Sequence, residues 1–281
     1  MHEIIDHLDL HGLLEMHNLS ALNHVPLVNR ADRYVAKVKT LPGWIVVKVD
    51  PDFNSILSEA TNNQRLHDLG LPVADMIGHG DSPIPYIILS WIDGTAISQT
   101  SPPAVLEEVG AVLRRIHNLR GNPPYAGNET WDAWMEGWLY HALPWWEKSG
   151  FATAGDIEQA WTQFRIIQPL LTSRGHSIIF FDGRPAHFIV RNNKLVGLID
   201  LEEMRSGDAL MDFGVFSVLH EHLVPGLLKG YNLANEEARL VRKLVPFYQF
   251  LRRLAAAEWT LQHENPALAS SILSSIKPPF F

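Results

Sequence analysis

Apolar residues along this chain change period several times, and the changes separate a strand-rich first third from a largely helical remainder. Residues 2–18 place Ile4, Ile5, Leu8, Leu13 and Leu14 on one face, as an amphipathic helix does. Strands are predicted near 24–29, 33–39 and 43–50, the last running through GWIVVKVD. SILSEATNNQRLHDLG then carries apolar residues at Ile56, Ala60 and Leu66 and ends at Gly70, the pattern of a helix with a glycine stop. YIILSW reads as a further strand. Helices are predicted over 103–119, 129–148 and 155–173, and again from Asp208 to about Leu273. Between these lies IIFFDGRPAHFIVRNNKLVGLID, in which FIVR and KLVGLI flank the polar pair Asn192-Asn193 and predict a β-hairpin.

The hairpin changes the picture most, because Asp182 ends the apolar run before it and Asp200 ends its second strand. Pleat geometry would bring two carboxylates to one mouth. Kinases need that arrangement: one aspartate orients and deprotonates the attacking hydroxyl, and another holds the metal that bridges the nucleotide phosphates. Upstream, the strand ending Val46-Val47-Lys48 offers an ammonium for phosphates, and Glu59, near the start of the next helix, is placed to reach back and fix it.

Taken in order, these pieces resemble the aminoglycoside phosphotransferase family, small-molecule kinases with a protein-kinase-like fold related to choline kinases. The resemblance covers nearly the whole chain. It runs from the Lys48 strand and the Glu59 helix through LPVADMIGHG, the strand and hinge YIILSWIDGTAI and the helix VGAVLRRIHNL, to IDLEEMRSGDALMDFG with its Gly-Asp…Asp pattern. It implies an α+β, bilobal fold, with a nucleotide-binding lobe at 1–92 and a mostly helical lobe at 93–281 carrying the catalytic loop and acceptor site. It further implies ATP or GTP as donor, its base on the hinge near Ser90 and Ile92 and its phosphates on Lys48 and Glu59. Asp182 is the catalytic residue it assigns, and Asp200 binds magnesium.

The chain also departs from the family pattern. Where the catalytic loop usually reads H-G-D-x-x-x-x-N, this one has Phe180 for the leading histidine and His187 for the metal-ligand asparagine. Phe180 suits a packing role. His187 offers a nitrogen where magnesium prefers oxygen, so manganese is an alternative ion at an Asp200–His187 site. The altered loop leaves open a second reading: a pseudokinase-like protein that binds a nucleotide or ligand without transfer. The turn Asn29–Arg33 lacks the glycines of a protein-kinase phosphate loop, which points to small-molecule kinases instead.

Composition sets the remaining bounds. A hydrophobic content of 46 % with 19 % charged residues is that of a globular chain. The absence of cysteine excludes disulfides and thiolate metal sites, and is compatible with a reducing, cytoplasmic location. The N-terminus lacks the basic start and unbroken apolar core of a secretory signal, and no run is long enough to span a membrane. A formal charge of −8 argues against nucleic-acid binding and is compatible with a cationic acceptor. The family resemblance, rather than composition, implies the partner: a small molecule, an aminoglycoside or another hydroxylated amine, with antibiotic resistance as one implied role.

Other residues are two-sided. Arg184 either neutralises phosphate charge or pairs with Glu202 or Glu203, and those acids either help bind a cation or divide into one exposed and one structural group. Asp208 reads as a helix-capping acid, and Asp212 as a buried acid bracing the catalytic loop through backbone N–H groups. Trp131, Trp134, Trp138, Trp145 and Trp146 read as packing first and as an acceptor-site wall second. Of the fourteen histidines, His7 with His11 and His220 with His222 lack a third ligand nearby and read as surface residues.

Overall fold

The computed structural model describes residues 8–121, 130–263, 265–277 and 281. Two compact units emerge: residues 1–97 with 186–204, and residues 98–185 with 205–281. The hairpin expected in the helical lobe belongs with the first unit. Leu198 N–H donates to Pro72 O at 2.7 Å, and Ile97 N–H donates to Phe188 O at 3.1 Å.

In the first unit, α1 (Leu10–Glu15) precedes β1 (Asn23–Arg30), β2 (Arg33–Lys39) and β3 (Trp44–Val49). Then come α2 (Phe53–Asp68), β4 (Met76–Gly80), β5 (Tyr86–Ser90) and β6 (Thr95–Ala96). An antiparallel five-stranded sheet runs in the order β1-β2-β3-β5-β4. Alternation along its strands sorts the side chains. Ile45, Val47 and Val49 of β3 join Tyr34, Ala36, Val38 and Ile88 against Leu10, Leu13 and Leu14 of α1. Ile87 and Leu89 of β5 face the other way, with Ile56 and Ala60 of α2. The helix expected over 2–18 is shorter among the described residues: Leu8 and Asp9 are not helical, and residues 1–7, with Ile4, Ile5 and His7, lie outside the description. Asp9 caps the helix start by accepting from Gly12 N–H at 2.9 Å. Asn18, in the left-handed region at φ 57°, follows its end.

In the second unit, α3 (Pro103–His117), α4 (Trp131–Lys148), α5 (Ala154–Leu171) and β7 (Ser177–Ile179) precede the loop that carries Asp182. Residue 129, the expected start of α4, lies outside the description. The hairpin strands β8 (Phe188–Arg191) and β9 (Lys194–Leu198) complete the first unit with β6. Their turn residues Asn192 and Asn193 both have positive φ, 53° and 58°, which selects the asparagines there. Gly197 on β9 is needed for space, since a Cβ would sit 2.6 Å from Ile92 Cδ1. The second unit resumes with β10 (Arg205–Gly207), paired antiparallel with β7, and then α6 (Met211–Ser217), α7 (Val224–Tyr231), α8 (Asn235–Gln262) and α9 (Pro266–Ser274). Its core includes Trp131, Trp146, Phe164, Phe213 and Phe247, all buried. Among the described residues no helix is long and apolar enough to cross a membrane.

Candidate active site

Lys48 faces α2 for the same reason that its neighbours face α1: strand alternation turns even-numbered β3 residues the other way. Glu59 lies on the buried face of α2 with Ile56, Ala60, Asn63 and Leu66. Lys48 Nζ donates to Glu59 Oε1 at 2.6 Å and Oε2 at 2.9 Å, and to Asp200 Oδ1 at 2.9 Å. The Lys48 side chain is 12 % exposed and the Glu59 side chain 2 %. Burial opposes the lysine's charge, but Glu59 and Asp200 outweigh it and hold Lys48 above its ordinary range. Burial likewise works against the Asp200 carboxylate, while the charges of Lys48 and His187 keep it well below its ordinary range. Asp200 stands two residues beyond β9 in the left-handed region, φ 65°, a conformation aspartate tolerates. Its Oδ2 is 3.4 Å from Nε2 of the buried His187.

Next to this pair lies a second ionic group. Arg33, at the start of β2, bonds Asp50 at 2.8 Å and Glu202 at 2.6 Å. Ser55 Oγ donates to the other Glu202 oxygen at 3.1 Å. Burial and Asp200 push the Glu202 carboxyl up, against the pull of Arg33. Asn62 Nδ2 donates to Leu201 O at 2.9 Å, so α2 also holds the backbone just beyond Asp200. Ligand oxygens of Glu59, Asp200 and Glu202 lie within 4.8 Å of one another. That oxygen-rich donor set fits a hard dication such as magnesium, and the His187 nitrogen beside Asp200 adds a donor better suited to manganese.

Asp182 belongs to the second unit. Its loop is held from beneath by Asp212, 1 % exposed, which accepts from Phe180 N–H at 2.7 Å and Phe181 N–H at 2.8 Å. The expected bracing by Asp212 is thus present in the structure. Phe180 is fully buried, and Phe181 takes φ 65°, a strained conformation for a bulky residue. Arg184 Nη2 lies 2.8 Å from Asp182 Oδ2, and Arg252 Nη2 lies 3.3 Å from Oδ1. Arg252 had no sequence signal. Asp208 pairs with Arg174 and Tyr248 and accepts from Leu210 N–H at 3.0 Å, ahead of α6.

Ser90 ends β5. Its N–H donates to Asp75 O and its Oγ accepts from Asp75 N–H, both at 2.8 Å. Ile92 packs on the Ile56–Leu89 core. The tryptophans divide. Trp131 and Trp146 are core, whereas the half-buried Trp134 and Trp138 stand with ring centres 6.0 Å and 6.1 Å from that of Phe181.

An ammonium clamped by two acids on a strand–helix pair in the first unit and, in the second, an aspartate on a loop braced from beneath are each features of a phosphotransferase class of site. The sequence matches the phosphotransferase enzyme family over residues 24–258, and the chain belongs to that family. Among solved structures, it is similar to a thermostable mutant of aminoglycoside phosphotransferase APH(4)-Ia, with a TM-score of 0.71 and 15 % identity, covering 94 % of this chain and 96 % of that one. It is similar to APH(2")-IIa in its gentamicin complex, with a TM-score of 0.69 and 16 % identity over 98 % of both chains. It also resembles a putative fructosamine-3-kinase from Thermobifida fusca YX-ER1, with a TM-score of 0.67 and 15 % identity over 94 % of this chain and 96 % of that one. These likenesses show a protein-kinase-like fold. A search of curated proteins finds no match.

Proposed function

We propose that the protein transfers the γ-phosphoryl group of ATP or GTP to a hydroxyl of a small molecule. The observation that carries this reading is the Lys48 ammonium fixed by Glu59 at 2.6 Å and by Asp200 at 2.9 Å, an arrangement suited to receiving nucleotide phosphates. Asp200, with His187 or the neighbouring Glu202, would hold magnesium or manganese, which when bound neutralises phosphate charge. Asp182 takes the role of orienting the acceptor hydroxyl and receiving its proton. Arg184, 2.8 Å from Asp182, takes the role of stabilising charge on the transferring group. The hinge around Ser90 and Ile92 is the place for the base. Solved relatives in complex with ADP and hygromycin B, or with gentamicin, make hydroxylated amines the acceptor class to test first.

Two observations favour a second reading, ligand binding without transfer: Asp182 is engaged by two guanidinium groups, and His187 replaces a family oxygen ligand. Thermal shift with ATP or GTP, with magnesium or manganese, followed by an ADP- and GDP-release assay over a panel of hydroxylated acceptors, separates the two. Stabilisation with turnover upholds phosphotransfer. Stabilisation with no turnover for any metal or acceptor overturns it in favour of binding.

A further inference from the structure

A polar cleft of about 400 Å³ opens in the second unit, where the end of α3 meets the chain that enters β7 and the chain that leaves β10. Antiparallel pairing builds one wall. Gly121 N–H donates to His176 O at 3.2 Å and Ile178 N–H donates to Leu119 O at 2.9 Å, which sets Arg120 opposite Ser177, and Ser177 pairs in turn with Gly207 on β10. Cross-strand partners share a face, so Arg120 and Ser177 line the cleft together. The one acid on the lining, Asp208, is buried and fully used. It accepts from Arg174 Nη2 at 2.5 Å, from the Tyr248 hydroxyl at 2.5 Å and from Leu210 N–H at 3.0 Å, and Arg174 Nε completes the fork. His117 is engaged as well, by the Tyr231 hydroxyl at 3.0 Å and by Asp212 at 2.9 Å. The cations are not used up. The fork takes Nε and Nη2 of Arg174, and among the described residues its Nη1 makes no hydrogen bond. Arg120 is exposed, and no acid among the described residues pairs with it.

A chain of net negative charge thus carries a cleft with two guanidinium groups against one carboxylate that is already paired. Planar guanidinium donors match phosphate oxygens better than any other group. The volume falls within the roughly 300–1,000 Å³ of small-molecule sites, so a lone inorganic anion would leave most of it to water. Ala209 is the one apolar side chain on the lining, which leaves nothing for an aromatic or lipid frame to pack on. Asn118, Ser173 and Ser177 instead offer hydrogen bonds to hydroxyl groups. We propose that this cleft is a further small-molecule site, which takes a hydroxylated phosphate ester of sugar-phosphate size, its phosphate on Arg120 and Arg174 and its hydroxyls on Asn118, Ser173 and Ser177. None of these residues belongs to the Lys48 and Asp200 cluster or to the Asp182 loop, so the site stands whether or not the chain transfers phosphate.

Ribose 5-phosphate, ribose and inorganic phosphate serve as probes, each titrated into the full chain by calorimetry at low salt with no nucleotide present. Ribose 5-phosphate is expected to bind about ten-fold tighter than either of the others, with its advantage over ribose shrinking as salt rises. Arg120→Gln should weaken it about ten-fold, and Arg120→Lys should keep part of the affinity. Hydrogen exchange locates the site: ribose 5-phosphate should protect peptides covering 173–178 and 206–210. That readout uses the parent protein and holds even where a variant unfolds. No binding of ribose 5-phosphate, binding no tighter than that of ribose, affinity unchanged in a folded Arg120→Gln, or protection confined to other segments overturns the proposal. Inorganic phosphate bound as tightly as the ester leaves an ion site only and overturns the hydroxylated ligand.

Discussion

Removing the Asp212 carboxylate tests whether the Asp182 loop is held from below. Both its oxygens are engaged: Phe181 N–H donates to Oδ1 at 2.8 Å, Phe180 N–H donates to Oδ2 at 2.7 Å, and His117 Nε2 lies 2.9 Å from Oδ2. All of this is buried. Asp212→Ala leaves two backbone donors and an imidazole without their acceptor. At about 1–3 kcal/mol for each orphaned group, and with losses in one cavity not additive, the expected cost is about 3–5 kcal/mol. Asp212→Asn keeps the shape but replaces one acceptor with a donor. One of the three bonds must fail, for about 2–3 kcal/mol. At about 2–4 °C per kcal/mol for a chain near this size, the asparagine variant should melt about 4–12 °C below the parent. Phe181 is strained at φ 65°, so losing its restraint should let the loop relax and displace Asp182. A displacement near 1 Å lowers turnover about 10²-fold. The assays are urea and thermal unfolding, with hydrogen exchange at the Phe180 and Phe181 amides. An asparagine variant with the parent's melting temperature and unchanged protection at both amides would refute the reasoning.

Three further outcomes are expected. Lys48→Ala leaves the buried Glu59 uncompensated and should cost about 3–5 kcal/mol in urea unfolding, with nucleotide binding lost as well; adding Glu59→Gln should recover much of the stability but not the binding, and a Lys48→Ala protein as stable as the parent argues against the pair. Asp182→Asn should lower turnover about 10²–10⁴-fold at nearly constant nucleotide affinity, and unchanged turnover rejects Asp182 as the proton acceptor. His187→Asn, which restores an amide oxygen beside Asp200, should move the metal preference of turnover from manganese toward magnesium; identical preference in both proteins means that His187 is not a ligand.

Much of the first unit was legible because its signals are local. Alternation in β3 assigns Ile45, Val47 and Val49 to one face and so sends Lys48 to the other, where one helical turn of α2 presents Glu59. The Asn192-Asn193 turn was legible for the same reason: two asparagines between short apolar strands suit the positive φ that both adopt. Among the described residues the N-terminal helix is shorter than its apolar stripe, because a stripe says nothing about caps: Asp9 caps α1, and Leu8 on the stripe is not helical. The hairpin's place with the first unit rests on backbone pairing, β6 with β8 and the bonds from Leu198 to Pro72 and from Ile97 to Phe188, which leaves no trace in side-chain pattern.

The charges that shape the site are the part that spacing hides. Arg33 meets Glu202 across 169 positions, His117 meets Asp212 across 95, and Arg252 meets Asp182 across 70. No periodicity links such residues. Arg252 in particular reads as one more surface cation on a long helix until the fold turns it onto Trp138 and Phe181. Net charge misleads in the same way. A formal charge of −8 is compatible with a cationic acceptor, yet two guanidinium groups, of Arg184 and Arg252, stand against Asp182. Field strength falls off over about 8–10 Å at ordinary salt, so what an acceptor meets is the local group and not the sum over the surface. Net charge therefore leaves the acceptor's own charge open, and a charge-matched series of ligands is the measurement that reads it.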